Sequence, residues 1–188
     1  MSEDEIKIHR GLNNVYFDRT KTTYINGKEG ILEYRGFNIH DLAEKSSFEE
    51  VSYLLLYGKL PTISELNSFN FSLKNSRNIP GEIIDIIKSL KDSHPMDVLR
   101  TAVSALSSFD EEAGDKSYDA TMRKGIRLTS QVPTIVMAHN SLRNGKDPVE
   151  PSKELSHAAN FIYMLNGETP TESTSTLMDK DFIVHADH

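Results

Sequence analysis

From Ser47 onward, helix-start signals recur at short intervals, and this punctuation restricts the chain to a set of packed helices. Ser47-Phe48-Glu49-Glu50 has the S-x-x-E pattern of a capping box, in which a hydroxyl and a carboxylate satisfy the free backbone donors of a first helical turn. Phe48, Val51, Leu54 and Leu55 follow at helical spacing. Gly58 suits the left-handed residue that commonly ends a helix. Thr62-Ile63-Ser64-Glu65 is a second box, with Leu66, Phe69 and Leu73 as its apolar face. Pro80 opens a short helix carrying Ile83, Ile84, Ile87 and Leu90. Pro95 sits at the first position of the next, where its missing N–H costs nothing, and Leu99, Ala102, Val103 and Leu106 form the inward stripe. Residues 109–119 read as a polar loop.

A long helical segment follows over about 120–142, interrupted by Pro133, where a kink is expected because proline removes a backbone hydrogen bond. Gly145 and two prolines break the pattern over 144–152, and 156–166 is helical again. Thr169-Pro170-Thr171-Glu172 reads as a third capping box with Pro170 at the first helical position. The strand-like region is confined to residues 15–39: Val15, Phe17, Thr23, Tyr24, Ile25, Ile31, Leu32 and Tyr34 favour strands, and Asn26-Gly27 supplies a turn. The expected fold is all-α with a small two- or three-stranded β ribbon near the N-terminus. It divides into a segment 1–40 with the ribbon and a helical part 41–188.

Composition removes several function classes. Charged residues make up 26% and hydrophobic residues 37%, which fits a globular core rather than disorder. No apolar run approaches the ~18 residues of a membrane span, and the acidic start is neither a secretory signal nor a transit peptide. The sequence has no cysteine, so disulfides, thiolate metal sites and a cysteine nucleophile are excluded, in keeping with the cytoplasm. A net charge of −7 without a dense Lys/Arg block argues against nucleic acid as a partner.

His185-Ala186-Asp187-His188 is the one dense group of titratable side chains beside apolar sequence. On a helix, His185 and His188 share a face. Three readings stay open: imidazoles beside a carboxylate that bind an anionic substrate or move protons; two metal ligands, although a third ligand and the i,i+4 zinc spacing are missing; or structural and surface groups. His94, before Pro95, reads as a cap or packing residue, and His157 as a hydrogen-bonded core or interface residue. His40 and His139 have no evident partner in the sequence. Arg123, Lys124 and Arg127 line one helix, either as a solvated face or as an anion or dimer contact.

Several stretches together resemble the N-terminal half of citrate synthases and 2-methylcitrate synthases. They are RGLNNV (10–15), GILEYRGFNI (30–39), DLA (41–43), FEEV (48–51) and YLLLYGKLP (53–61), then HPMDVLRTAVSAL (94–106), PTIV (133–136), RNG (143–145), PVEP (148–151), SHAANF (156–161), LNGE (165–168) and IVHADH (183–188). The resemblance implies mostly helical homodimers with an active site in a cleft between a large and a small domain. They condense oxaloacetate with acetyl-coenzyme A, and no cofactor or metal is expected. A carboxylate takes a proton from the acetyl methyl group, one histidine stabilises the enol, another handles the oxaloacetate carbonyl, and arginines clamp the carboxylates.

Carried over by residue, His188 matches the second histidine of the family's H-[AS]-D-H-E segment, which contacts oxaloacetate, and His185 and Asp187 match its supporting neighbours. The resemblance places the enol-stabilising histidine in a GPLHGGAN segment that this chain lacks, and the base and clamping arginines beyond residue 188. The chain alone is therefore expected to be inactive. Some methylcitrate synthases carry a basic residue after Leu-Pro-Thr; here it is Ile63, which favours acetyl- over propionyl-coenzyme A. The alternatives are a 2-methylcitrate synthase and a non-catalytic helical interaction fragment.

Overall fold

The computed structural model of the chain describes residues 10–12, 15 and 18–187. Phe17 and His188 lie outside them, as does most of the RGLNNV stretch's second half. Three antiparallel strands, β1 (Thr23–Asn26), β2 (Ile31–Tyr34) and β3 (Phe37–Asn38), pair in sequence order. The β1–β2 connection begins at Asn26-Gly27 as expected, but it takes four residues and closes on Gly30 in the left-handed conformation. The tight turn is instead Arg35-Gly36 between the paired residues Tyr34 and Phe37. Both turn residues have positive φ (52° and 85°), the geometry that matches the twist of a two-residue hairpin.

Among the described residues eight α-helices follow: α1 (Ile39–Lys45), α2 (Phe48–Tyr57), α3 (Ile63–Asn75), α4 (Gly81–Ser89), α5 (Pro95–Leu106), α6 (Tyr118–Arg143), α7 (His157–Asn166) and α8 (Glu172–Val184). The local signals account for most of the boundaries. Both capping boxes form: Glu50 N–H reaches Ser47 Oγ at 3.3 Å while Ser47 N–H donates to the Glu50 carboxylate at 2.8 Å, and Thr62 and Glu65 repeat the arrangement. Gly58 ends α2 with φ 78°. His94 caps α5, its Nδ1 accepting from Met96 N–H at 3.3 Å.

Three expectations need correction. The helix start near residue 170 falls two residues later: Thr171, not Thr169, is the cap, accepting from Thr174 N–H at 3.2 Å, and Pro170 precedes the helix rather than opening it. α6 runs as one helix through Pro133 without interruption. The polar loop narrows to 110–117, because a 3-10 turn (Ser107–Phe109) extends α5 and Ser117 caps α6. The basic row on α6 is no free face. Arg127 binds Asp110 at 2.8 Å and Glu112 at 2.9 Å, Arg123 binds Glu112, and Lys124 donates to the carbonyls of Glu112 and Asp115. These bonds tie the loop to the helix.

The core has three apolar groups. α4, α5 and α6 enclose Ile83, Ile87, Val98, Ala102, Leu106, Ile135 and Ala138. On α5 the expected Ala102 and Leu106 are buried, Val98 joins them, and the expected Leu99 and Val103 are half-buried at the margin. α2, α3 and α6 share Tyr53, Phe69, Leu73 and Ile126. The third group bears on function: Tyr34 of the ribbon, Ile39 and Leu42 of α1, Val51 and Leu54 of α2, and Ile183 of α8. It packs the end of α8 against the sheet. No described helix is long and apolar enough to cross a membrane.

Candidate functional site

α8 delivers the His185–Asp187 segment, and apolar burial fixes where it ends up. Ile183 is fully buried against Tyr34, Leu54 and their neighbours. Phe182 meets Phe161 and Phe48 at ring separations of 5.2 and 5.3 Å. The run Phe182-Ile183 therefore serves two adjoining packing sites, and the chain after it is held close to the core.

The helix stops at Val184, and His185 is its C-cap (φ −109°, ψ 9°). His185–Asp187 have left the helix, and the sharing of a face by His185 and His188 falls outside the described residues. No glycine or proline marks this stop. The His185 N–H still bonds Asp181 O at 3.3 Å, and Ala186 N–H bonds Ile183 O at 3.3 Å, so the chain tightens before leaving the helix. The His185 ring is 72% exposed, with Nδ1 2.8 Å from Asp181 O and 3.6 Å from its carboxylate. Asp187 turns to the ribbon. Its carboxylate accepts from the Thr23 hydroxyl, and its N–H lies 3.4 Å from the Tyr34 hydroxyl oxygen. The structure brings Asp187, Tyr34 and Thr23 together and leaves the His185 ring outside that contact. His188 lies outside the described residues.

A second polar group lies between α2, α7 and α8; the sequence reading marked His157 there as a core or interface residue but missed Glu49, Asp179 and Arg77. Glu49 is buried and accepts the first N–H of α7, from His157, at 2.8 Å. Asp179 accepts the first N–H of α2, from Phe48, at 3.2 and 3.3 Å. Burial, reinforced by the neighbouring charges of Glu49 and Glu50, pushes the Asp179 carboxyl up to about 6, against the pull of the Phe48 N–H. His157 is buried, its ring 4.8 Å from Phe48, and burial assisted by the Arg77 charge lowers it to about 4, so it is neutral near pH 7. Arg77 is fully buried and donates to the carbonyls of Ser152 and Leu155, bracing the loop before α7. Its guanidinium is pulled below its ordinary value by burial. His139, without an evident partner in the sequence, lies 3.0 Å from Lys91 O.

Two clefts among the described residues lie away from His185–Asp187. One, of about 500 Å³, is bounded by Val103, Leu106, Phe109, Asp110, Arg127 and Gln131, and its cation is already neutralised by Asp110 and Glu112. The other, about 260 Å³, is an apolar groove between α5 and α6 lined by Met96, Leu99, Val136, Asn140 and Leu165 among others.

Comparison with known proteins matches residues 11–188 to the family model described as "Citrate synthase, C-terminal domain". The chain belongs to the citrate synthase family. It is 45% identical over 182 residues to the citrate synthase of Deinococcus radiodurans, covering 96% of this chain and 48% of that protein. It is 41% identical over 187 residues to that of Haloferax volcanii, covering 97% and 49%. Among solved structures, the citrate synthase of Pyrobaculum aerophilum superposes with a TM-score of 0.92 at 37% identity, over 96% of this chain and 47% of the other. The enzyme of Thermoplasma acidophilum, solved in a ternary complex with carboxymethyl coenzyme A and oxaloacetate, gives 0.90 at 26% identity over 97% and 48%. The chain thus has the citrate synthase fold, mostly helical with a small three-stranded sheet, and spans about half the length of the curated relatives it matches.

Proposed function

We propose that this chain is the N-terminal part of a cytoplasmic enzyme that condenses oxaloacetate with acetyl-coenzyme A to give citrate and coenzyme A. His188 donates a hydrogen bond to the keto oxygen or a carboxylate of oxaloacetate, and His185 and Asp187 support it. The observation that carries the reading is the seating of Asp187 on Thr23 and Tyr34, which anchors the chain one residue before His188. A substrate contact needs such a fixed base, because a donor misplaced by an ångström loses much of its effect. Family membership and the likeness to an enzyme solved with oxaloacetate support the substrate assignment.

The acetyl methyl proton is weakly acidic, so the reaction needs a base and a donor that meets charge developing on the enol oxygen. We assign both to residues outside these 188, and on this reading the chain alone is inactive. Ile63, exposed after Leu60-Pro61-Thr62, supports acetyl- over propionyl-coenzyme A. The half-exposed to exposed Met96 and Leu165 beside the α5–α6 groove support pairing with a second copy, since a large apolar patch seldom stays bare.

Thiol release from acetyl-coenzyme A in the presence of oxaloacetate tests the reading. The full-length gene product should release coenzyme A and form citrate, and the 188-residue chain should not exceed the buffer background. Turnover by the isolated chain would overturn the assignment of the base and enol-stabilising group to residues beyond 188. Sedimentation should show association at micromolar concentration; a compact monomer throughout would contradict the pairing.

A further inference from the structure

We infer that Tyr34 and Thr23 are positioning residues for oxaloacetate, acting through the segment that ends at His188; this rests on the functional reading above. The two residues are cross-strand partners in the β1–β2 pair, so their side chains leave the same face of the ribbon. Both reach Asp187 in the segment after α8, Thr23 from 164 and Tyr34 from 153 positions away in the chain.

The Tyr34 hydroxyl gathers the backbone of this segment around one atom. It donates to Val184 O at 3.1 Å, with Asp187 O at 3.3 Å as a second acceptor, and it accepts from Asp187 N–H at 3.4 Å. Val184 O is one of the last carbonyls of α8, which have no partner within the helix, and Tyr34 supplies one. The Tyr34 residue is fully buried among Ile39, Leu42, Val51, Leu54 and Ile183, so the hydroxyl is held by packing rather than by a mobile stem. Burial raises its pKa above 10, which keeps it a donor across the working pH range. Thr23 adds a second fixed point by donating to the Asp187 carboxylate. The phenol and the threonine hydroxyl together set where the chain emerges one residue before His188.

Tyr34→Phe removes the hydroxyl and keeps the ring, and Thr23→Val removes the second donor at nearly constant volume. In the 188-residue chain, hydrogen exchange of the amides of residues 185–187 should quicken by about 10-fold in Tyr34→Phe, while Val51 and Leu54, in the same apolar group, stay within about twofold. In the full-length enzyme both variants should raise the oxaloacetate KM by about 10-fold and leave the acetyl-coenzyme A KM within about twofold, with Thr23→Ser restoring the parent value. Unchanged exchange at 185–187 would overturn the inference, and so would a parallel rise at Val51 and Leu54, which would mark a purely structural role. Unchanged oxaloacetate KM in active variants would overturn it as well. Faster exchange at 185–187 with no condensation by the parent full-length protein would instead overturn the functional reading and leave the seating by Tyr34 standing.

Discussion

Replacing Asp179 with asparagine should stabilise the chain at neutral pH, although it removes a charge that accepts a hydrogen bond. Two effects favour the ionised carboxylate: the Phe48 N–H at 3.2 Å, and its place at the N-terminus of α2, where negative charge is welcome. Three oppose it: partial burial, and the like charges of Glu49 and Glu50. The opposing effects win, since the carboxyl is pushed up to about 6 from 3.8. The rise from 3.8 to about 6 corresponds to about 3 kcal/mol of preference for the neutral form. Solvent contact at this half-buried group reduces the usable effect to about 1–2 kcal/mol.

The sign follows from the raised folded-state value. The folded chain holds this proton more tightly than the unfolded chain, so the site's penalty is present in full above pH 6. It is relieved as the pH falls from 6 towards 3.8. Asparagine keeps an oxygen acceptor for Phe48 N–H and never ionises. Urea denaturation of both chains at intervals from pH 8 to pH 4 should show the variant more stable by about 1–2 kcal/mol at pH 8, with the difference closing as the pH drops below 6. A variant less stable than the parent at pH 8 would refute the reasoning, because the Phe48 bond and the helix end would then outweigh desolvation. A difference independent of pH would refute it equally.

His157 should titrate near 4 by NMR and stay neutral at pH 6; because its folded value is lowered from 6.5, stability falls as the pH drops from 6.5 towards 4, by at most about 3 kcal/mol, and an ordinary midpoint would contradict the burial argument. Ile183→Ala should cost about 2–5 kcal/mol by urea denaturation, since the side chain is fully buried where α8 meets the ribbon, and a loss below 1 kcal/mol would show that the contact is loose. Glu112→Gln should free the 110–117 loop: limited proteolysis there should quicken, with the contrast shrinking at high salt, and equal cleavage of both chains would argue against the Arg123–Glu112–Arg127 tie.

Features that depend on near neighbours in sequence were readable from it. The boxes at Ser47 and Thr62, the cap at His94 and the stop at Gly58 each involve residues two to four positions apart. At Thr169 and Thr171 two hydroxyls compete two positions apart, and composition alone cannot rank them; the second wins by reaching Thr174 N–H. The end of α8 at Val184 carries no local mark, so the sequence alone does not show that His185 has left the helix.

The polar contacts around the site were unreadable for a different reason. Asp179 meets Phe48 across 131 positions, Glu49 meets His157 across 108, and Tyr34 meets Val184 across 150. The first and third exist because Ile183 and Phe182 dock α8, the second because α7 starts against α2, and no periodicity in any partner announces them. Glu49 is the sharpest case: it stands beside the capping glutamate Glu50 and looks like one more surface acid, yet it is buried and holds the start of α7.

Steady-state kinetics of His188→Ala in the full-length enzyme test the central claim most directly. A charge-assisted hydrogen bond to oxaloacetate contributes about 1.5–3 kcal/mol, which corresponds to a loss of about 10- to 150-fold in kcat/KM for oxaloacetate. The account predicts a raised oxaloacetate KM, a lowered kcat and an acetyl-coenzyme A KM close to the parent value. His188→Ala with the parent's oxaloacetate KM and turnover would contradict it.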